Sequence, residues 1–357
     1  MHNQSEITTA PEASIRLSVA IPTFNRNDIL KANLAKLIPQ LTSACELVIL
    51  DNCSTIPVAD TLSDLLATIP ENISVRLIRH RANVGGNENI LRCIEYAQGE
   101  FVWLLGDDDE PVDNAVANIF QELDEHPEAL VLNMYAPSPM HSLRSYTKIV
   151  KGSAGYLTAA KFFGELIFIS SMVLKVQQAL PNMTTAYLWQ SSHAPQLIVA
   201  SMMLRPNHIA VISSREVVYN GGSTTPIELQ CSPIPIALGF PTLLSASWDK
   251  NESKQIQSLL KSAQKGWITP KGVVNHLITM ANQDGFNGKY LALRYFYLLR
   301  GNFFSIGAPL SFEWILFSCA WPLVVWPKLG CFFRNIAWRI FKGKIYDSSK
   351  QGSLDRG

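Results

Sequence analysis

Charge is scarce in this 357-residue chain: 17% of its residues are Asp, Glu, Lys or Arg, against about 25% in an ordinary soluble domain. Neither sign prevails, since 30 Lys and Arg face 29 Asp and Glu for a net charge of +1. A chain without a net basic face is not expected to hold nucleic acid as its main partner. No CxxC pair occurs among the six cysteines (Cys45, Cys53, Cys93, Cys231, Cys319 and Cys331). Scattered cysteines argue against a zinc site or a disulfide framework and for reduced, structural thiols. Uninterrupted apolar runs of about 18 residues are missing too, which excludes a polytopic membrane protein. Internal repeats and low-complexity tracts are absent. The stretch Met1 to Arg16 contains Glu6 and Glu12 and lacks the basic start and apolar core of a secretory signal, so the expected compartment is the cytoplasm. What the chain has in excess is apolar: 47% hydrophobic residues and a mean hydropathy of +0.10.

At this length one large domain or two domains are expected. The first 135 residues alternate short apolar runs with amphipathic ones. Leu17–Pro22, Glu46–Leu50, Val75–Ile78, Phe101–Leu105 and Leu130–Asn133 read as strands. Asp28–Ile38, Thr61–Ile69, Asn87–Ala97 and Val112–Leu123 read as the helices between them. That alternation implies βαβ units and a parallel sheet, an α/β fold. Further on, Ile167–Leu174 and His208–Ser213 look like strands and Pro195–Leu204 like a helix. After Cys231 the pattern is mostly helical, with Ser253–Gln264, Pro270–Asn282 and Gly288–Arg300. The expected division is a flexible 1–15, a catalytic α/β domain over 16–230, and a helical region over 231–357.

Parallel sheets bind ligands beyond the carboxyl ends of their strands, so the residues after each strand matter most. The fourth strand ends in Gly106-Asp107-Asp108-Asp109. Three adjacent carboxylates repel one another unless a cation or a set of donors neutralises them. A hard divalent ion with oxygen ligands would do so. The same triplet could be an acidic turn capping the next helix, but its place after a mid-sheet strand favours the metal. Asp51-Asn52-Cys53-Ser54 closes the second strand, where a carboxylate can accept from a base or ribose or make an Asx-turn. Pro22-Thr23-Phe24-Asn25-Arg26 closes the first, as a nucleotide-holding loop or a plain turn. Three polar strand ends on one edge favour a binding site.

Ile21-Pro22-Thr23-Phe24-Asn25-Arg26, Asp51-Asn52-Cys53-Ser54, Asn83-Val84-Gly85-Gly86-Asn87 and Trp103-Leu104-Leu105-Gly106-Asp107-Asp108-Asp109 resemble, in order, successive motifs of family 2 glycosyltransferases. The Leu-Leu-Gly-Asp-Asp-Asp wording is most similar to bacterial O-antigen transferases, the abequosyltransferase-like branch among them. The resemblance covers residues 15 to 135 and extends loosely to 230. It implies a GT-A fold (a Rossmann-like, mostly parallel sheet flanked by helices, here with a helical C-terminal extension), a nucleotide-sugar donor, and Mg²⁺ or Mn²⁺. It places Pro22, Thr23, Asn25, Arg26 and Asp51 along the nucleotide, with Asp51 accepting from the base. Arg81 and Asn83 lie along the nucleotide or sugar. Asp107 and Asp109 form the DxD pair, with Asp109 first for the metal. The common family pattern has a carboxylate where Gly106 stands, and in that register Asp108 and Asp109 carry the contacts.

An inverting transferase needs a base for the acceptor hydroxyl, and the family normally supplies it from an acidic pair before a helix. Between Asp124 and Asp249 this chain has no aspartate. The position before the Pro195 helix holds Ser191-Ser192-His193, so His193 is a candidate base beside Glu165, Glu216 and Glu228. Asn220-Gly221-Gly222-Ser223 is a site loop or a tight turn. Ile306 to Pro327 is nearly all apolar, with Glu313 its single charge and Pro322 interrupting it; Lys328, Arg334, Arg339, Lys342 and Lys344 follow. An apolar, Trp-rich stretch beside basic residues, over 306–341, reads as an interfacial helix on an anionic membrane surface or as a helix packed on the domain. A peripheral position on the inner face of the cell membrane would suit a polyprenyl-linked saccharide acceptor, which the resemblance implies. Two rivals stand beside the transferase: a sugar nucleotidyltransferase, disfavoured by the lack of glycine in 22–26, and a non-catalytic membrane-associated subunit.

Overall fold

The computed structural model describes residues 15–137, 143–219 and 248–263, with short stretches between 242 and 297. Expectations for Asn220–Ser223, Glu228 and the 306–341 segment lie outside the described residues. The chain divides into two compact units, one of residues 1–232 with 246–263, the other of 233–245 with 264–357. In the second unit, 277–282 and 292–297 are helical. Among the described residues no helix is long and apolar enough to cross a membrane.

The first unit is built on β1 (Leu17–Thr23), α1 (Asn27–Leu37), β2 (Cys45–Asp51), α2 (Val58–Leu66), β3 (Ser74–Arg79), α3 (Gly86–Tyr96), β4 (Phe101–Leu104), α4 (Ala115–Glu125), β5 (Ala129–Tyr135), β6 (Lys148–Lys151), α5 (Gly152–Ala159), α6 (Gly164–Ile167), β7 (Met172–Lys175), α7 (Val176–Ala179), α8 (Met183–Leu188), α9 (Pro195–Met203), β8 (Ile209–Glu216) and α10 (Lys250–Ala263). The strands form one eight-stranded sheet in the order β3-β2-β1-β4-β7-β5-β8-β6. All seven residues of β2 are buried. A strand covered on both faces needs no polar alternation, which is why the inner strands read as continuous apolar runs. Leu30, Leu34 and Leu37 on α1 are buried at helical spacing, the stripe that packs a helix onto such a sheet.

The sheet is mixed. β1 pairs in parallel with β2 and β4, β2 with β3, and β5 with β8. Strand β7 enters antiparallel between β4 and β5, and β6 closes the edge antiparallel to β8. The expected strand over Ile167–Leu174 is therefore corrected: its first half is α6 and a 3-10 turn over Ile169–Ser171, and the strand begins at Met172. The two serines explain the break. Trp103 Nε1 donates to the Ser170 carbonyl at 2.8 Å and Gly106 N to the Ser170 hydroxyl at 2.8 Å, so these backbone and side-chain groups serve the end of β4 and not a strand ladder.

Because β7 is antiparallel to both neighbours, β4 and β5 run the same way. The carboxyl ends of β1 to β5 and β8 thus share one edge. Helix α2 starts three residues before its expected onset, after Pro57, where the Asp51 carboxylate accepts from Val58 N at 3.3 Å. Helix α4 starts three residues later than expected, because 110–112 pair with 217–219 instead: Val112 N donates to Val217 O at 3.1 Å and Tyr219 N to Glu110 O at 2.8 Å.

Candidate active site

The registers put Thr23, Asp51 and Arg79 side by side across the last residues of β1, β2 and β3. Asp51 is fully buried. Its Oδ1 accepts from Ser54 N at 2.7 Å, while Oδ2 takes Val58 N and, at 2.8 Å, Arg79 Nη1. The carboxylate expected to face a base therefore also closes the β2–α2 loop and holds Arg79 in place. Asn25 locks the loops after β1 and β2 together, its N–H donating to Ser54 Oγ at 2.9 Å and its Oδ1 accepting from Thr55 N at 2.7 Å. Asn52 does the same for the loop after β3, donating to Asn83 Oδ1 and accepting from Val84 N, both at 2.9 Å. Arg81 is exposed on that loop. Pro22 lies within β1, facing Leu50 of β2.

The acidic triplet follows β4. Asp107 is buried; Oδ2 accepts from the Thr23 hydroxyl at 2.7 Å and Oδ1 from Arg26 at 2.9 Å. Arg26 also reaches Asp108, at 3.2 Å. Asp109 turns the other way, its Oδ2 accepting from Ser170 Oγ at 2.5 Å, and its Oδ1 has no hydrogen bond among the described residues. Burial is the main force raising the Asp107 carboxyl, opposed by Arg26. Burial and the neighbouring Asp108 and Asp107 push Asp109 to about 6, against the Ser170 hydrogen bond. A destabilised carboxylate with an open oxygen, among other oxygen donors, is the chemistry that takes a hard divalent cation. Gly106 makes the arrangement possible. A Cβ there would stand 2.5 Å from Asp109 Oδ2 and 3.3 Å from Ser170 Oγ, so a side chain at 106 and Asp109 in this rotamer exclude each other.

Three non-glycine residues adopt left-handed backbone among the described residues: Asn25 at φ 56°, Cys53 at 66° and His193 at 58°. All border this edge, and uncommon backbone of this kind concentrates at functional sites. His193 Nδ1 lies 3.1 Å from Asn87 Nδ2, at the start of α3. The amide nitrogen can only donate, so Nδ1 accepts and the neutral ring carries its hydrogen on Nε2. Burial holds the ring down to about 4. A neutral, weakly basic imidazole is a poor proton acceptor at pH 7.

Neither glutamate of the described residues fills that place better. Glu165 is buried, with Oε2 3.8 Å from Arg144, which closes it to an acceptor hydroxyl in this arrangement. Glu216 ends β8, exposed, three strand positions from β4. Another group with metal-ligand spacing, Glu122 and Glu125 on α4 with His126 just after it, already holds a cation in Arg215, which pairs with Glu122 at 2.5 Å and Glu125 at 2.7 Å. Sequence reading missed Ser170, Arg79 and Asn33, whose amide donates to the Asp107 carbonyl at 3.1 Å. The one usable signal was the Ser170-Ser171 pair interrupting an apolar run.

Residues 18–174, a little under half of the chain, match the family described as Glycosyl transferase family 2. Three curated relatives match shorter stretches. The uncharacterized glycosyltransferase YibD of Escherichia coli K12 is 33% identical over 95 residues, 27% of this chain and 26% of that protein. Abequosyltransferase RfbV of Salmonella typhimurium LT2 is 29% identical over 112 residues, 30% of this chain and 32% of its own. The GalNAc(5)-diNAcBac-PP-undecaprenol beta-1,3-glucosyltransferase of Campylobacter jejuni is 29% identical over 111 residues, 31% and 35% of the two chains. The matches thus span between a quarter and about a third of these relatives' lengths. Among solved structures, S. aureus TarS 1–349 in complex with UDP-GlcNAc superposes with a TM-score of 0.56 at 16% identity, over 81% of this chain and 88% of that one. The mannosyltransferase PcManGT from Pyrobaculum calidifontis, in complex with GDP-Man and Mn²⁺, gives 0.50 at 15% identity over 89% of each. At such identities the likeness shows the fold, and it is the GT-A fold expected from the strand-end motifs. The abequosyltransferase match agrees with the O-antigen resemblance of Leu104–Asp109.

Proposed function

We propose, from the family 2 glycosyltransferase domain in residues 18–174, that this chain transfers a sugar from a nucleotide-sugar donor to a saccharide of a bacterial surface polysaccharide. The observation that carries the reading is the carboxyl edge itself, where Thr23, Arg26, Asp51 and the Asp107–Asp109 triplet converge from three strand ends. The nucleoside lies along Pro22, Thr23, Asn25, Asp51, Arg81 and Asn83. Asp51 is buried at the end of β2, so its role toward the base is carried as much by fixing the β2–α2 loop as by direct contact. Asp109, with Asp107 or Asp108, would hold Mg²⁺ or Mn²⁺ against the donor, and that ion would neutralise the diphosphate leaving group. Nucleotide-sugar complexes are recorded for the structural relatives, with UDP-GlcNAc for TarS and with GDP-Man and Mn²⁺ for PcManGT.

The reaction is a direct, inverting displacement: an acceptor hydroxyl loses its proton to a base as its oxygen attacks the anomeric carbon. His193 stands where the family supplies that base, and its low basicity makes it an orienting group first. The acceptor is a polyprenyl-linked saccharide, in keeping with the name of the Campylobacter relative, and the 306–341 segment is the membrane foot that brings the protein to it. The test is donor turnover. Purified protein with Mn²⁺ is offered UDP-, GDP-, CDP- and dTDP-sugars and the released nucleotide is read. Turnover that Asp109→Asn abolishes supports the reading; no binding and no turnover with any donor refutes it.

A further inference from the structure

Asp107 and Asp108 share one guanidinium. Arg26 Nη1 lies 2.9 Å from Asp107 Oδ1 and 3.2 Å from Asp108 Oδ2, with its side chain only 19% exposed. The arginine is held at the N-cap position of α1, and Asp107 is gripped by Thr23 and Asn33 as well. The Arg26 backbone and Asp107 are therefore held in place before any ligand arrives, and only the guanidinium has to turn. With Asp109, which Ser170 holds beside them, the three carboxylates and Arg26 sum to −3 + 1 = −2, the charge a divalent cation cancels. An oxygen cannot face a buried guanidinium and a hard metal ion at full strength together, because each supplies the positive charge the other needs.

We propose that Arg26 is an internal counter-ion: it occupies the oxygens of Asp107 and Asp108 in the absence of donor, competes with the divalent cation for them, and turns to the donor's phosphates when these arrive. The inference rests on the metal-dependent glycosyltransferase reading. Guanidinium binds phosphate with the same two-pronged geometry it uses for carboxylate, so a nucleoside diphosphate offers it an equivalent partner. Metal and nucleotide then help each other to bind. Each removes a group that the other would have to displace, and the coupling is reciprocal.

The experiment is a Mn²⁺ titration of the full chain, followed by the electron paramagnetic resonance signal of free Mn²⁺, with and without UDP or GDP. Wild type is expected to bind Mn²⁺ weakly alone and at least about tenfold tighter with nucleotide, the scale of one charge-assisted contact. Arg26→Met should bind Mn²⁺ about tenfold tighter than wild type without nucleotide and gain less when nucleotide is added. Arg26→Lys, which keeps the charge but not the fork, should fall between the two and serves if the methionine variant does not fold. Equal or weaker Mn²⁺ binding by both variants, with wild-type binding that Asp109→Asn removes, overturns the counter-ion role and leaves the transferase reading standing. No Mn²⁺ binding by wild type under any of these conditions overturns both.

Discussion

Replacing His193 with asparagine should make the protein's stability respond differently to acid. In the folded chain burial holds the His193 ring at about 4, whereas an unfolded histidine titrates near 6.5. Between those values the unfolded state binds more protons, so this group's contribution is complete above pH 6.5 and is lost as pH falls toward 4. The full loss is about 3 kcal/mol, and between pH 7.5 and pH 5 it is about 2 kcal/mol. Wild type alone would hide it. Asp109, raised to about 6, and Asp107, also raised, bind more protons folded than unfolded and gain stability on acidification in an overlapping window. The comparison with His193→Asn cancels those terms.

Asparagine suits the test because the position has φ 58°, a left-handed backbone that asparagine tolerates. The hydrogen bond lost from Asn87 costs about 1 kcal/mol at both pH values of the test, where the folded ring is neutral. Urea unfolding of both proteins at pH 7.5 and pH 5.0 gives the answer. His193→Asn should be less stable than wild type at pH 7.5 and should recover by about 2 kcal/mol relative to wild type at pH 5.0. A stability difference that does not move with pH would show a ring titrating normally, and with it the argument against His193 as the base would fall.

Other outcomes follow from the same geometry. Gly106→Ala places a Cβ 2.5 Å from Asp109 Oδ2; it should cut donor turnover by about tenfold or more, the worth of one charge-assisted bond, with little change in the unfolding midpoint, and unchanged turnover would refute the packing. Asp51→Ala strips Ser54 N, Val58 N and Arg79 of their acceptor and should cost about 2–3 kcal/mol by denaturant titration besides weakening nucleotide binding. Glu46 is fully buried against Ser18, Gln98 N and Arg76 at the opposite edge of the sheet, so Glu46→Gln should lower stability by about 1–3 kcal/mol and leave the nucleotide affinity alone.

The strands from β1 to β5 and the helices between them were legible because the inner strands are covered on both faces, the edge strand β3 alternates between buried and half-buried positions, and each helix is covered on one face. Hydrophobic spacing reports that difference directly. The antiparallel insertion of β7 was not legible, since an apolar run carries no direction. Its neighbours, β4 and β5, lie 25 or more residues apart in sequence from β7 and fix its sense through tertiary pairing alone. Strand β6 was missed for another reason: its four residues Lys148–Lys151 alternate between half-buried and exposed, as a short edge strand with lysines does, and leave too little pattern to see.

The candidate site was legible where chemistry sits at strand ends and illegible where it sits on the partners that hold it. Asp51 and Asp107–Asp109 stood out as charge in an apolar context, while Ser170 looked like an interruption of a strand. The register of the acidic motif shows why the partners matter. A carboxylate at position 106, as in the common family pattern, would project from the residue that here lacks any side chain. Asp109 instead folds back into that space and is caught by Ser170, three residues later on the same turn. Glycine at 106 and serine at 170 are therefore one device: the first vacates the volume and the second binds the carboxylate that enters it. Reading the triplet as Asp107 with Asp109, or as Asp108 with Asp109, gives two registers that share Asp109, and the structure explains the overlap. Asp107 and Asp108 are tied to Arg26, whereas Asp109 Oδ1 has no hydrogen bond among the described residues and is open to a further partner.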